Sequence, residues 1–236
     1  MRRFYVSPDN FNNLRIALSL EESKHLREVL RLRGGEEVHV FNGKGKEFLC
    51  VVAEIGAKKQ SAILQVLHET LPVSPESGLD LTLAVALLKG EKFDLVVQKA
   101  VELGVKKLVP IFTKRADTKN ARRERWEKIA LEAAKQCGRA KLLEIDELRE
   151  FEEFIETADE TKILFSERGG EGFSLISADK KITAVIGSEG GWEDSEIEAA
   201  RTNNFQIITL GGRILRAETA AVSIAAILQY RFGDVN

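Results

Sequence analysis

The residues of this 236-residue chain best placed to do chemistry lie in two loops. One reads Ile186-Gly187-Ser188-Glu189-Gly190-Gly191-Trp192. The other reads Leu210-Gly211-Gly212-Arg213-Ile214-Leu215-Arg216-Ala217-Glu218-Thr219. Glycine lets a ligand lie against bare backbone. Each loop follows a short apolar run and precedes a helical pattern, the place where parallel sheets bind ligands. Neither loop is G-x-G-x-x-G, and no G-x-x-x-x-G-K-[ST] occurs, so readings as a nicotinamide or nucleoside-triphosphate site lose their main support. One such loop alone is more often an ordinary strand-to-helix turn. Two of them, with Glu189, Arg216 and Glu218 among the glycines, point to a site.

The elements that must position these loops can be read from periodicity. Apolar runs predict strands at 81–88, 107–112, 162–165, 182–186 and 205–210. Helical spacing predicts helices at 91–103, stopped by Gly104, and at 124–136, 194–202 and 218–230. This alternation implies a mostly parallel sheet covered on both faces. The first 70 residues differ. Ser19 and Glu22 form a capping box before Leu26, Val29 and Leu30, with the helix ending near Gly34-Gly35. Residues 37–41 and 47–55 flank the turn Asn42-Gly43-Lys44-Gly45 as a hairpin, and 61–66 adds a strand. Several short strands and one helix suggest a small barrel. The stretch 71–78, with Pro72 and Pro75, reads as a linker, dividing a β-rich domain (1–72) from an α/β domain (73–236).

Charge is unevenly spread. The formal net charge is −2, but residues 151–200 hold 13 acidic and 4 basic residues, net −9, leaving +7 elsewhere. Local patches decide what a polyanion feels. Lys24, Arg27 and Arg31 follow i, i+3, i+7 spacing, with Arg33 just beyond and Leu26, Val29 and Leu30 opposite. Lys114, Arg115, Lys119, Arg122, Arg123 and Arg125 form a second basic patch, and Arg2 and Arg3 a third. A single charge run is usually a solvated face; several make phosphate contact the better reading. Cys50, Cys137 and three separate histidines match no metal spacing, so no metal site is expected. The cysteine usage fits a reducing cytoplasm, and no apolar run approaches the ~20 residues that span a bilayer.

The chain resembles the RsmE-type SPOUT RNA methyltransferases. The resemblance spans nearly its whole length: Arg3-Phe4; 25–33, His25-Leu26-Arg27-Glu28-Val29-Leu30-Arg31-Leu32-Arg33; Lys89-Gly90-Glu91-Lys92-Phe93-Asp94; Gln98-Lys99-Ala100-Val101-Glu102-Leu103-Gly104; Thr113-Lys114-Arg115; Arg125-Trp126; Gln136-Cys137-Gly138-Arg139; and, most specifically, the two glycine loops. Singly these motifs are weak; their order and spacing together are strong. Ser188 stands where proline is usual, Leu143 where proline usually precedes Glu-Ile, and Ala116 where a serine often follows Arg115.

The resemblance implies a SPOUT-type trefoil-knotted α/β methyltransferase domain with a mostly parallel sheet, preceded by a small PUA-like β-barrel that binds RNA. It implies a homodimer, S-adenosylmethionine as cofactor, and the N3 of a uridine in 16S rRNA of the small ribosomal subunit as target. Carried over by position, the cofactor residues are Leu164, Phe165, Ser166, Gly187, Glu189, Gly190, Gly191, Leu210, Gly211, Ile214, Leu215 and Ala217. Uridine N3 is a poor nucleophile until its proton leaves, so a group must stabilise the anion on the base's oxygens. Arg216 is the candidate, with Glu218 orienting it or capping the last helix near its N-terminus. RNA contacts fall to Arg2, Arg3, Lys24, Arg27, Arg31, Arg33, Arg115, Arg122 and Arg123. Phe4, Tyr5 or Trp192 could stack on the target base, although aromatics there are more often core. The alternatives are a non-catalytic RNA-binding or ribosome-assembly factor, and an α/β enzyme using another nucleotide.

Overall fold

The computed structural model describes residues 2–12, 14–116, 121–158, 161–173 and 180–235. Lys119 and Asp117 lie outside them. The chain forms two compact units: Met1–Glu76 with Leu131–Leu142, and Ser77–Ala130 with Leu143–Asn236.

The first unit contains β1 (Arg3–Tyr5), β2 (Phe11–Asn12), β3 (Arg15–Ala17), α1 (Leu20–Lys24), β4 (Glu37–Phe41), β5 (Glu47–Glu54) and β6 (Ile63–Thr70). The sheet order is β1-β4-β5-β6-β3-β2, parallel only between β1 and β4. The predicted hairpin is β4–β5; the Asn42 side chain accepts from the Lys44 and Lys46 amides across its turn. Phe4, Ile16, Leu26, Val40, Cys50 and Leu64 fill the core. Burying a large apolar side chain contributes about 1.5–3 kcal/mol.

Ser19 caps α1, accepting from the Glu22 amide at 3.1 Å, but the expected box is not closed, because the Glu22 side chain turns to Lys135 instead of the Ser19 amide. The helix then departs from α geometry: His25–Val29 is one π turn, closed by the Leu30 amide on the His25 carbonyl. That turn ends the i, i+3, i+7 pattern. Arg31 lies past it at φ 53°, and Val29, expected in the core, is 65% exposed.

The division expected at residue 72 leaves residues 131–142 with the second domain, whereas they pack with the first unit. The reason is polar. Arg3 is buried, pairs with both oxygens of Glu47, and donates to the Ala134 and Arg139 carbonyls at 2.7 and 2.8 Å. Leu142 donates to Gly43, Gly45 to Ala140, and Lys135 to Glu22.

The second unit contains β7 (Asp80–Ala86), α2 (Lys92–Glu102), β8 (Lys107–Phe112), α3 (Arg123–Cys137, whose last turns belong to the first unit), β9 (Glu144–Ile145) and β10 (Arg149–Glu150). It continues with α4 (Phe151–Thr157), β11 (Thr161–Phe165), β12 (Glu171–Gly172), β13 (Lys181–Ile186), α5 (Asp194–Thr202), β14 (Gln206–Thr209) and α6 (Ala217–Phe232). The sheet is parallel throughout, ordered β10-β8-β7-β13-β11-β14-β12 with β9 beside β8. After β7 and β8 the chain crosses to build β11, and β13 then inserts between β7 and β11. That reversal puts the carboxyl ends of β11, β13 and β14 side by side. Gly104 ends α2 at φ 70° as expected. Helix α4 has no counterpart in the sequence reading. Its Phe151, Phe154 and Ile155 enter the core, while Glu152, Glu153 and Glu156 face water. Among the described residues no helix is long and apolar enough to cross a membrane.

Candidate active site

The two glycine loops meet in one cavity of about 630 Å³ in the second unit. One wall is Ile186–Trp192 after β13, and the facing wall is Leu210–Ala217 after β14. Phe165, Ser166 and Glu167 from the end of β11 line it, as do Lys92 of α2 and Ala220 and Ile224 of α6. Steric demands fix several of these glycines. A Cβ at Gly187 would sit 2.9 Å from the Trp192 ring, and one at Gly190 2.8 Å from the Arg115 Cβ. Gly211 and Gly212 have open space where a Cβ would go, so their backbone faces the cavity bare.

The first loop is held from three sides. The Trp192 indole donates to the Phe165 carbonyl at 2.8 Å, and the Ser188 hydroxyl to the Arg115 carbonyl at 3.0 Å. A serine in the proline position thus anchors the loop by a hydrogen bond. Arg115 in turn donates to the Gly190 carbonyl. Glu189 Oε1 accepts from the Lys89 amide at 3.1 Å and Lys92 Nζ at 2.8 Å. Burial pushes the Glu189 carboxyl up, but Lys92 and the backbone amides outweigh it and hold the group below the ordinary carboxylate value. Arg168 joins the β11 and β13 loops by donating to the Trp192 carbonyl and pairing with Glu167 and Asp194. Below them, Glu193 and Glu196 form a reciprocal capping box on α5.

On the second loop, Arg213 and Arg216 are exposed and have no carboxylate partner among the described residues. The arrangement is an apolar slot with bare backbone on two sides and cationic side chains at its edge. It suits a flat heteroaromatic ligand with polar edges, and an anionic or polarisable group beside Arg216.

A family model described as an RNA methyltransferase domain matches residues 75–229, and one described as an RNA methyltransferase PUA domain matches residues 19–65. The chain belongs to this RNA methyltransferase family. The ribosomal RNA small subunit methyltransferase E of Mesomycoplasma hyopneumoniae is 36% identical, over 94% of this chain and 96% of that protein. The Rickettsia conorii protein of the same name is 31% identical, over 97% and 94%. A crystal structure of a ribosomal RNA small subunit methyltransferase E from Neisseria gonorrhoeae bound to S-adenosyl methionine superposes with a TM-score of 0.91, at 32% identity over 100% of both chains.

In this methyltransferase fold, every residue carried over for the cofactor lines the cavity except Leu164. Leu164 is corrected to core: its side chain points from β11 into the cluster with Val185 and Ile207, because alternate residues of a strand face opposite ways. Arg216 lines the cavity. Glu218 does not; it stands in the first turn of α6 with Oε2 buried and unpartnered, and no ion pair joins it to Arg216. Sequence reasoning missed Lys92, Glu167, Gly212, Arg213, Ala220 and Ile224 as lining residues, and Arg168 as the link between loops. Position after β11 could have flagged Glu167 and Arg168; Lys92 lies in the 89–94 stretch that carries the resemblance, but nothing there placed it beside the glycine loops.

The proposed RNA residues divide sharply. Arg3 is corrected: it is an internal ion-pair and carbonyl donor, stacked 4.1 Å over the Phe41 ring, and cannot reach phosphate. Arg27 donates to the Ile55 and Gln60 carbonyls, which holds its guanidinium against the protein. Arg2 pairs with Glu36, and Arg123 with Glu127 and Glu147. Lys24, Arg31 and Arg122 are exposed, without an acidic partner among the described residues, and Arg33 is exposed beside Glu36, which accepts from its backbone amide. Arg115 is exposed but braces the first glycine loop. Phe4 and Trp192 are core, and Tyr5 packs on Phe41.

Proposed function

We propose that the chain is an S-adenosylmethionine-dependent methyltransferase that modifies the N3 of a uridine in small-subunit ribosomal RNA. The observation that carries this reading is the meeting of both glycine loops in one cavity with the unpaired Arg216 on its wall. The cofactor seen in the Neisseria gonorrhoeae relative fits the donor set: an apolar slot for adenine, bare backbone for its polar edge, and no demand for a metal.

Bound there, the cofactor supplies an electrophilic methyl group on a sulfonium. Phe165, Ser166, Gly187, Glu189, Gly190, Gly191, Leu210, Gly211, Ile214, Leu215 and Ala217 hold and orient it, so in-line placement carries much of the catalysis. Arg216 stabilises negative charge on the uracil oxygens as the N3 proton passes to solvent water, and N3 then takes the methyl group while the sulfonium becomes a neutral thioether. Glu218 supports the start of α6, where its charge favours the helix N-terminus, and does not orient Arg216.

In the same reading the first unit is a PUA-like module that presents Lys24, Arg31 and Arg33 to RNA. The family resemblance also carries the trefoil knot, the homodimer and the cytoplasmic setting. Half-buried Val222, Ala226 and Ile227 on α6, with Tyr230 exposed beyond them, support a second copy docking on that helix.

Mass mapping of small-subunit rRNA from a strain deleted for the gene tests the assignment. A plasmid copy should restore one missing methyl, and Arg216→Ala should not. An rRNA unchanged by the deletion would contradict the reading.

A further inference from the structure

Lys92 and Glu189 come from different elements, the start of α2 and the loop after β13, yet meet at 2.8 Å on the cavity wall. Both remain reachable, with side chains 36% and 24% exposed. Glu189 Oε1 takes both the Lys92 ammonium and the Lys89 amide. Its own backbone amide also donates to the carboxylate, which leaves one of the about four acceptor sites of the exposed group open. Lys92 Nζ uses one of its three donors on Glu189. The pair therefore offers the cavity one spare acceptor and two spare donors side by side. A free α-amino acid carries an ammonium and a carboxylate on one carbon, the complement of that display. The other charged groups do not offer it: Arg213 and Arg216 are cations without a carboxylate beside them, and Glu167 is engaged by Arg168, which does not line the cavity.

We propose that Lys92 and Glu189 together bind the zwitterionic amino-acid end of S-adenosylmethionine, Lys92 taking its carboxylate and Glu189 its ammonium. This rests on the methyltransferase reading above and adds Lys92 to the binding residues. The low carboxyl pKa of Glu189 keeps its charge available. Because the two side chains already pair, the site pre-organises both charges before the ligand arrives.

Calorimetric titration of the full chain with S-adenosylmethionine, S-adenosylhomocysteine and 5′-methylthioadenosine tests this, the last lacking the amino-acid end. Lys92→Met and Glu189→Gln should each weaken S-adenosylhomocysteine by about tenfold or more, the worth of one charged hydrogen bond. Both variants should bind 5′-methylthioadenosine as the wild type does, which also reports an intact cavity. Equal losses for all ligands, or no loss for any, overturn the proposal. A Glu189→Gln loss for S-adenosylmethionine alone would move Glu189 to the sulfonium and overturn it as well. A wild-type chain that binds none of the three would contradict the methyltransferase reading itself, and the pair's assignment with it.

Discussion

Arg3 and Glu47 are both withdrawn from water, and Arg3 also satisfies two main-chain carbonyls of residues 131–142. Removing one partner leaves a buried charge alone, so Arg3→Met should cost about 3–5 kcal/mol in urea unfolding. An effect on RNA affinity without loss of stability would show that Arg3 is exposed after all. In the glycine loop the constraint is steric. Gly190→Ala drives a Cβ to 2.8 Å from the Arg115 Cβ and 3.1 Å from its backbone oxygen. The loop must shift, at about 1–3 kcal/mol of overpacking, and calorimetry should find cofactor binding lost or sharply weakened. Glu189 adds a pH dependence. Its carboxyl lies below the ordinary value in the folded chain, so its stabilisation is present above that value and is lost as pH falls through the lowered one. Hydrogen exchange at the Lys89 amide, which donates to Glu189, should lose relative protection over that acidic range. Glu189→Gln should abolish the pH dependence.

Among the elements, the strands and helices of the second unit are close to their apolar periodicity, and both glycine loops fall where strand ends predict. Helix α4 was hidden because its three apolar contacts are embedded in an acidic run that reads as solvated. The π turn at His25–Val29 was hidden for a different reason: capping and amphipathicity are the same at its start for α and π geometry, and only the later register differs. Its consequence is Arg31 in the left-handed region, a conformation that costs a non-glycine residue about 1 kcal/mol. Arg31→Gly should therefore raise the denaturant midpoint while lowering RNA affinity. A fall in both would mean that the Arg31 side chain holds the turn together. Basic clustering alone was a poor guide here, since Arg27 shares its motif with Arg31 and Arg33, and Arg3 its patch with Arg2, yet Arg27 and Arg3 donate inward.

For the whole molecule, the net charge of −2 first argues against a nucleic-acid partner. The acidic stretch accounts for this. Its carboxylates cap α5, pair with Arg168 and coat α4, while Lys24, Arg31 and Arg122 stay unpaired among the described residues. Length and the proline linker anticipate two units; the return of residues 131–142 to the first could not be read, because it depends on hydrogen bonds between residues 131 and 136 positions apart in sequence. Nor does any local pattern encode a knot. Methyl transfer to a ribosomal uridine can be measured directly. The purified chain is mixed with S-adenosylmethionine carrying an isotopically labelled methyl group and with small-subunit rRNA, and the digested nucleosides are weighed by mass spectrometry. The label is expected in 3-methyluridine at a single site, and is expected to be absent with Arg216→Ala. Label in another nucleoside, or none in an rRNA known to lack the modification, would contradict it.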